Sequence, residues 1–336
     1  MIPAAGREVR LAARPDGAAD PSHFELAEAP VREPGEGEIL VRNEWLSVDP
    51  YMRGQMDDAR SAMPTFELGE PMGGSALGTV IASRSEVPEG ATVVHLLGWR
   101  EYATVDAAKA RPVDLGLAPA PAHLGVLGFI GLTAYVGLTE IASVRDGDVV
   151  FVSGAAGAVG SVAGQIARLL GASRVIGSAG GPVKTAKLLD GFGFDAAIDH
   201  REGDLERRLG EAAPDGIDVY FDNVGGDHLR AAIAVLNDHG RVALCGAVSQ
   251  YDKAEPDPGP DNLIEAVFKR LTLRGFVAID HYPEVMDEYV RRASGWLREG
   301  CLHSEETVVK GIDNAVDAFL GIFAGRNVGK MLVRLD

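Results

Sequence analysis

Residues 148–170 read DVVFVSGAAGAVGSVAGQIARLL, a short apolar strand that runs through a glycine-rich turn into an amphipathic helix. Val159, Val162, Ala163, Ile166, Leu169 and Leu170 share one helical face, and Gly171 stands where a helix C-cap is expected. Small residues let backbone amides approach a phosphate, and the free N–H groups of a helix N-terminus add favourable partial charge. The Gly-x-Gly-x-x-Gly of a dinucleotide turn appears as Ala155-x-Gly157-x-x-Gly160, with alanine at the first position. Glycines alone are weak evidence. With strand, turn and helix in register, Ala155, Gly157, Ala158, Val159 and Gly160 are expected to meet a pyrophosphate; a tight structural βα turn is the alternative.

The surrounding chain supplies the context. After Gly147, the runs DVVFVSG, SRVIGSAG, AAIDH, IDVYFDNV, RVALCGAV and TLRGFVAI alternate with helical periodicity. Near-continuous apolar strands separated by helices predict a doubly wound parallel sheet covered on both faces. Residues 20 to about 110 have another texture, with HFELAEA, EILVRNEWLSV, GTVIAS, ATVVHLL and EYATV separated by Pro/Gly-rich turns. That pattern predicts a compact β-barrel or sandwich. The final segment, GIDNAVDAFLGIFAGRNVGKMLVRL, reads as a helix and a strand that return to the first domain. Residues 115–139 carry no Asp, Glu, Lys or Arg, but Pro119 and Pro121 break the run, so it reads as an interior helix and not a membrane span.

The end of the second strand selects between dinucleotides. An NAD site places Asp or Glu there to accept from the ribose hydroxyl. This chain has SAGGPVK instead, with Gly181 at the turn and Lys184 opening the next helix, which suits the extra phosphate of NADPH. Lys184 as an ordinary solvated lysine is the alternative. A formal charge of −17 disfavours nucleic acid and anionic membranes as partners. Cys245 and Cys301 form no Cys-x-x-Cys pair, and the first residues lack the apolar core of a signal peptide, so a cytoplasmic protein is expected.

A second constraint lies in LSVDPYMRG, residues 46–54. Proline fixes φ and donates no amide hydrogen, so the strand arriving through EILVRNEWLSV is expected to end before Pro50. Tyr51 and Arg53 then sit on a turn.

The order of a small β domain, a GLTAY helix and a nucleotide-binding unit starting AAGAVG resembles the medium-chain dehydrogenase/reductase superfamily. LSVDPYMRG, YFDNVGG, LCGAVSQY and GRNVGK resemble its zinc-independent branch of prostaglandin, curcumin and alkenal double-bond reductases. The likeness runs from about residue 24 to the end. It implies a GroES-like β-barrel catalytic domain (1–121 and 301–336), a Rossmann domain (122–300), a homodimer, and NADPH-dependent reduction of a double bond conjugated to a carbonyl. It further implies that the turn meets the pyrophosphate and Lys184 the adenosine phosphate. His200 takes the place of a tyrosine near the adenosine. Asn223, Cys245, Gly246, Ala247, Ser249, Tyr251, Phe276, Val277, Ala278 and Asn327 would line the nicotinamide half. Asn223 also reads as a turn residue, and Cys245 as a small core residue.

No metal is expected. Zinc-dependent relatives carry a Cys ligand on the loop that here reads Asp49-Pro50-Tyr51, and GEPMGGSALGTV has no His. Two cysteines at 245 and 301 build neither a catalytic nor a structural zinc site. The enolate of such a reduction must then be stabilised by hydrogen bonds, and Tyr251 and Tyr51 are the candidate donors. Either tyrosine could instead be an apolar lid. Two other functions stay open at this level. A quinone oxidoreductase of the same superfamily usually lacks YFDNVGG. A non-catalytic NADPH-binding protein has no need of both tyrosines.

Overall fold

The computed structural model describes residues 2–57, 63–255 and 257–335. Strands β1 (Ala5–Leu11) and β2 (Phe24–Pro30) pair as an antiparallel ribbon. Then come β3 (Glu38–Ser47), β4 (Ala76–Ser83), β5 (Thr92–His95), β6 (Tyr102–Asp106) and β7 (Arg111–Pro112). As Pro50 requires, β3 stops at Ser47, and the short helix α1 (Met52–Gln55) follows directly. Strand β1 gives little sequence signal. Only Val9 and Leu11 of AGREVRL bury apolar side chains, and Gly6 and the charges at 7, 8 and 10 break the alternation.

The charge-free stretch forms α2 (Phe129–Val136), which widens into a looser turn through Ile141. It is packed into the interior, and among the described residues no helix is long and apolar enough to cross a membrane.

Beyond it the six predicted runs all become strands: β8 (Val149–Val152), β9 (Arg174–Ala179), β10 (Ala196–Asp199), β11 (Ile217–Asp222), β12 (Leu236–Leu244) and β13 (Thr272–Gly275). They form one parallel sheet in the order β10-β9-β8-β11-β12-β13, so the strand order changes side between β8 and β11. Its connecting helices are α3 (Ala158–Leu169), α4 (Pro182–Phe192), α5 (Leu205–Ala212), α6 (Gly226–Val235) and α7 (Ile264–Phe268). Alternation along β8 explains why its run is continuously apolar. Val150 and Val152 enter one buried cluster with α2 and α3, while Phe151 enters the cluster on the opposite face. There Phe151 stacks on Tyr220 at 5.1 Å, a contact worth about 0.5–1.5 kcal/mol beyond area burial.

Helix α8 (Met286–Arg298) then leads to β14 (Glu306–Lys310), α9 (Ala315–Phe323) and β15 (Lys330–Arg334). The return expected from the sequence takes place: β15 pairs antiparallel with β3 in the sheet β14-β15-β3-β4-β5-β7, and β6 also pairs with β3. Helix α9 sets Phe319 edge-on to Trp99 at 5.8 Å in the core of the N-terminal part. This return sets Gly329, the residue before β15, against Gly157 of the glycine-rich turn.

Candidate cofactor and active site

The glycine-rich turn has the conformation its composition predicts. Gly154 adopts φ +58, and a Cβ on Gly160 would stand 2.4 Å from the Gly154 carbonyl oxygen, so helix and turn approach closely only because residue 160 is glycine. Ala155 occupies the first glycine position because β9 makes room for it: a Cβ on Gly177 would lie 2.8 Å from the Ala155 methyl. The Ala155 amide donates to the Ser178 carbonyl at 2.9 Å, which fixes the turn on the sheet. No side chain caps the N-terminus of α3, so its first amides are left for a ligand.

The end of β9 carries no carboxylate of its own, but Asp199 at the end of β10 accepts from the Gly181 amide at 2.9 Å, and two cations converge beside this turn. Arg201 Nη2 and Lys184 Nζ would each be 3.6 Å from a Cβ on Gly325, so both nitrogens border one point in space. Neither side chain has an ion-pair partner among the described residues. Desolvation and then Arg201 lower the Lys184 pKa, as expected for two like charges awaiting an anion. Arg201 escaped the sequence reading. It lies beyond β10, whose Asp199 pairs in register with Ala179 of β9, and strand neighbours are not visible along a chain. The sheet order carries the signal. His200 lies beside Gly180, Nε2 3.1 Å from where a Cβ would stand, and its ring meets that of His228 at 5.3 Å.

Several residues expected at the nicotinamide half have structural work. The Asn223 side-chain amide donates to the Ser153 carbonyl at 2.7 Å. Its turn is organised by buried Asp222, which accepts from Tyr220 Oη at 2.6 Å and from the amides of Val224 and Gly225 at 3.0 and 2.8 Å. Asp222 was not foreseen, although an acid before Asn-x-Gly-Gly is a turn signal. Cys245 packs on the main core, and desolvation, then Asp222, pushes its thiol up to about 12, which keeps it protonated and unreactive. Ser249 Oγ donates to the Val224 carbonyl at 2.6 Å, Phe276 meets Phe221 edge-on at 6.3 Å, Val277 leads into a short turn, and Ala278 is buried. Asn327 is drawn to the glycine-rich turn. Its side-chain amide donates to the Gly329 carbonyl at 2.8 Å, while the Gly329 amide donates to the Ala156 carbonyl at 2.8 Å.

Tyr251 folds back over the end of β12. Its oxygen accepts from the Ala247 amide at 3.4 Å and would be 3.1 Å from a Cβ on Gly246, so the phenolic proton is left to donate. Desolvation raises its pKa, opposed by that amide. Tyr51 is 40% exposed, and desolvation by the surrounding protein, then Asp49, raises its pKa too. Both tyrosines therefore stay protonated at neutral pH, as donors must. Their neighbours meet: Arg53 Nε lies 3.8 Å from Asp252 Oδ1.

Two family models match the chain, one described as the N-terminal domain of oxidoreductase over residues 7–113 and one as zinc-binding dehydrogenase over residues 158–294. The NADPH-dependent curcumin reductase of Escherichia coli is 38% identical over 97% of this chain and 95% of its own length. Prostaglandin reductase 1 of Bos taurus is 39% identical over 93% of this chain and 94% of its own. The chain belongs to the curcumin and prostaglandin reductase branch of the medium-chain dehydrogenase/reductase superfamily. The fold agrees: a crystal structure of CurA from Vibrio vulnificus in complex with NADPH superposes with a TM-score of 0.92 at 39% identity, covering 98% of this chain and 99% of that one.

Zinc-dependent members of the superfamily carry a Cys ligand on the loop that here holds Asp49. In this chain Asp49 is bound by Lys330 instead, Nζ to Oδ1 at 2.9 Å. Among the described residues no group of three or more His, Cys, Asp or Glu side chains could hold a metal ion. The cradle, by contrast, fits this branch's cofactor. Small residues at 154–160, an uncapped helix N-terminus and two unpaired cations suit a dinucleotide carrying an extra phosphate.

Proposed function

We propose that this chain is an NADPH-dependent reductase of carbon–carbon double bonds conjugated to a ketone or aldehyde. One observation supports the mechanism: the turns that carry the two protonated tyrosines approach each other, with Arg53 Nε 3.8 Å from Asp252 Oδ1. NADPH, when bound, supplies a hydride to the substrate's β-carbon. The turn Ala155–Gly160 would hold its pyrophosphate, Lys184 with Arg201 its extra phosphate, and the stretch from Cys245 to Ser249 with Phe276 to Ala278 its nicotinamide end. Tyr251 Oη donates to the carbonyl oxygen as negative charge develops there, and Tyr51 orients the same oxygen. The α-carbon then takes a proton from solvent water, and the product leaves as the saturated carbonyl. Neither tyrosine needs to ionise.

Two coarser features extend the reading. The division into 1–121 with 301–336 and 122–300 follows the two large sheets. A homodimer is supported by the edge strand β13 and the neighbouring exposed side chains Leu263, Ile264, Val267 and Phe268, since an open strand edge beside an apolar patch favours association. A cytoplasmic location fits two free cysteines. The test is NADPH oxidation with a panel of enones, enals and quinones. Turnover of enones and enals with saturated products is expected; turnover of quinones alone would assign the chain to quinone reduction, and no turnover would leave a binding protein.

A further inference from the structure

Arg53 Nε and Asp252 Oδ1 face each other at 3.8 Å, and each atom is buried without a hydrogen-bond partner. The rest of the guanidinium is engaged. Nη1 donates to Asp57 Oδ1 at 2.5 Å and Nη2 to the Gly17 carbonyl, so Nε is the nitrogen left over. The Arg53 side chain is 3% exposed, which leaves it no recourse to water. The Asp252 loop rests on the N-terminal segment, with a Cβ on Gly17 falling 3.6 Å from the Ala254 nitrogen. Two complementary buried atoms thus stand 3.8 Å apart, about 0.6–1.1 Å beyond the 2.7–3.2 Å of a hydrogen bond.

The position of this gap gives it meaning. Arg53 lies on α1, two residues after Tyr51, and Asp252 follows Tyr251 directly. Movement that closes the gap changes the separation of the two hydroxyls. We propose that Arg53 and Asp252 are positioning residues: the Tyr251 loop advances about 1 Å when the site fills, Arg53 Nε–H bonds Asp252 Oδ1, and the tyrosines are held on one carbonyl oxygen. What they hold rests on the enone-reductase reading; the closure itself does not. Desolvation raises the Asp252 pKa and Arg53 opposes it, consistent with a carboxylate that gains from a closer partner.

Asp252→Asn keeps the shape and removes the charge, and Asp252→Glu adds one methylene across the gap. With NADPH and 3-penten-2-one, Asp252→Asn is expected to lower kcat about tenfold while KM for NADPH changes less than about twofold. Asp252→Glu is expected to recover at least about half of the activity, because it reaches Arg53 without movement. Hydrogen exchange supplies a readout independent of turnover. Adding NADP+ and 2-pentanone should protect residues 51–57 and 249–255 together in the wild type and not in Asp252→Asn. Wild-type kcat and undiminished protection in Asp252→Asn would overturn the proposal. So would a loss of thermal stability with kcat unchanged, which marks a purely structural pair. A wild type that reduces no enone, yet shows protection that Asp252→Asn abolishes, would overturn the substrate reading and support the positioning role.

Discussion

Lys330 Nζ lies 2.9 Å from Asp49 Oδ1, and both side chains are buried. The ammonium also donates to the carbonyls of Val48 and Met331 at 2.8 and 3.0 Å, so its three hydrogens are all used. Ser47 Oγ donates to the other Asp49 oxygen. Because Gly329, one residue before Lys330, is bonded to Ala156, a single short segment ties the cofactor turn to the turn carrying Tyr51. The loop on which zinc-dependent members carry a Cys ligand holds here a buried ion pair.

Removing one member of this pair leaves the other charge buried. Lys330→Met is expected to lower stability by about 3–5 kcal/mol, read from the urea midpoint. Combining it with Asp49→Leu should cost less than the sum of the single changes, because the stranded carboxylate is gone. Additive losses would show that the two groups act separately.

The phosphate end should respond to charge alone. Lys184→Ala is expected to raise KM for NADPH about 10–100-fold and leave NADH nearly unaffected, the size expected for one charge-assisted hydrogen bond. Arg201→Ala should do the same, and the double variant should approach equal use of both cofactors. Equal losses with NADPH and NADH would assign these cations to structure.

Tyr251→Phe removes one hydroxyl and keeps the ring. A loss of about 10²–10³ in kcat is expected, toward the lower end because water or the cofactor ribose can partly replace the donor. Tyr51→Phe should act more on the enone KM than on kcat. If both hydroxyls serve one oxygen, the double variant loses less than the product of the single effects. A Tyr251→Phe enzyme with normal turnover would make Tyr251 a lid.

Activity is expected to survive prolonged treatment with a chelator, and purified protein should hold no stoichiometric zinc by elemental analysis. Chelator sensitivity reversed by zinc would overturn the hydrogen-bonding mechanism.

Acid should weaken the fold through His95. Its Nδ1 accepts from the Leu97 amide at 3.1 Å and its Nε2 pairs with Asn43 Oδ1 at 2.9 Å, so protonation would set two donors against each other. Desolvation first, and then Arg100, lowers its pKa from 6.5 to about 3. Between those values the unfolded chain binds the extra proton, so stability falls as pH drops, by up to about 1.4 kcal/mol per pH unit from this group. Urea midpoints at pH 7, 6 and 5 check the slope, and His95→Gln should flatten it.

Local chemistry made much of this protein legible in its sequence. The parallel strands, the turn at 153–161, the end of β3 before Pro50 and the missing acid after β9 each follow from residues adjacent along the chain. Backbone conformation and burial periodicity are local properties, so a local pattern encodes them. Their places on turns marked Tyr51 and Tyr251 as candidate donors, but not the side chains around them. What tertiary structure alone decided is which distant segments meet. Arg201 joins Lys184 because β10 lies beside β9, Gly177 makes room for Ala155, Lys330 finds Asp49 because β15 returns to β3, and Arg53 faces Asp252 across two sheets. Each contact depends on strand order and chain return. These are set by the summed packing of the whole core, not by the few residues that finally touch.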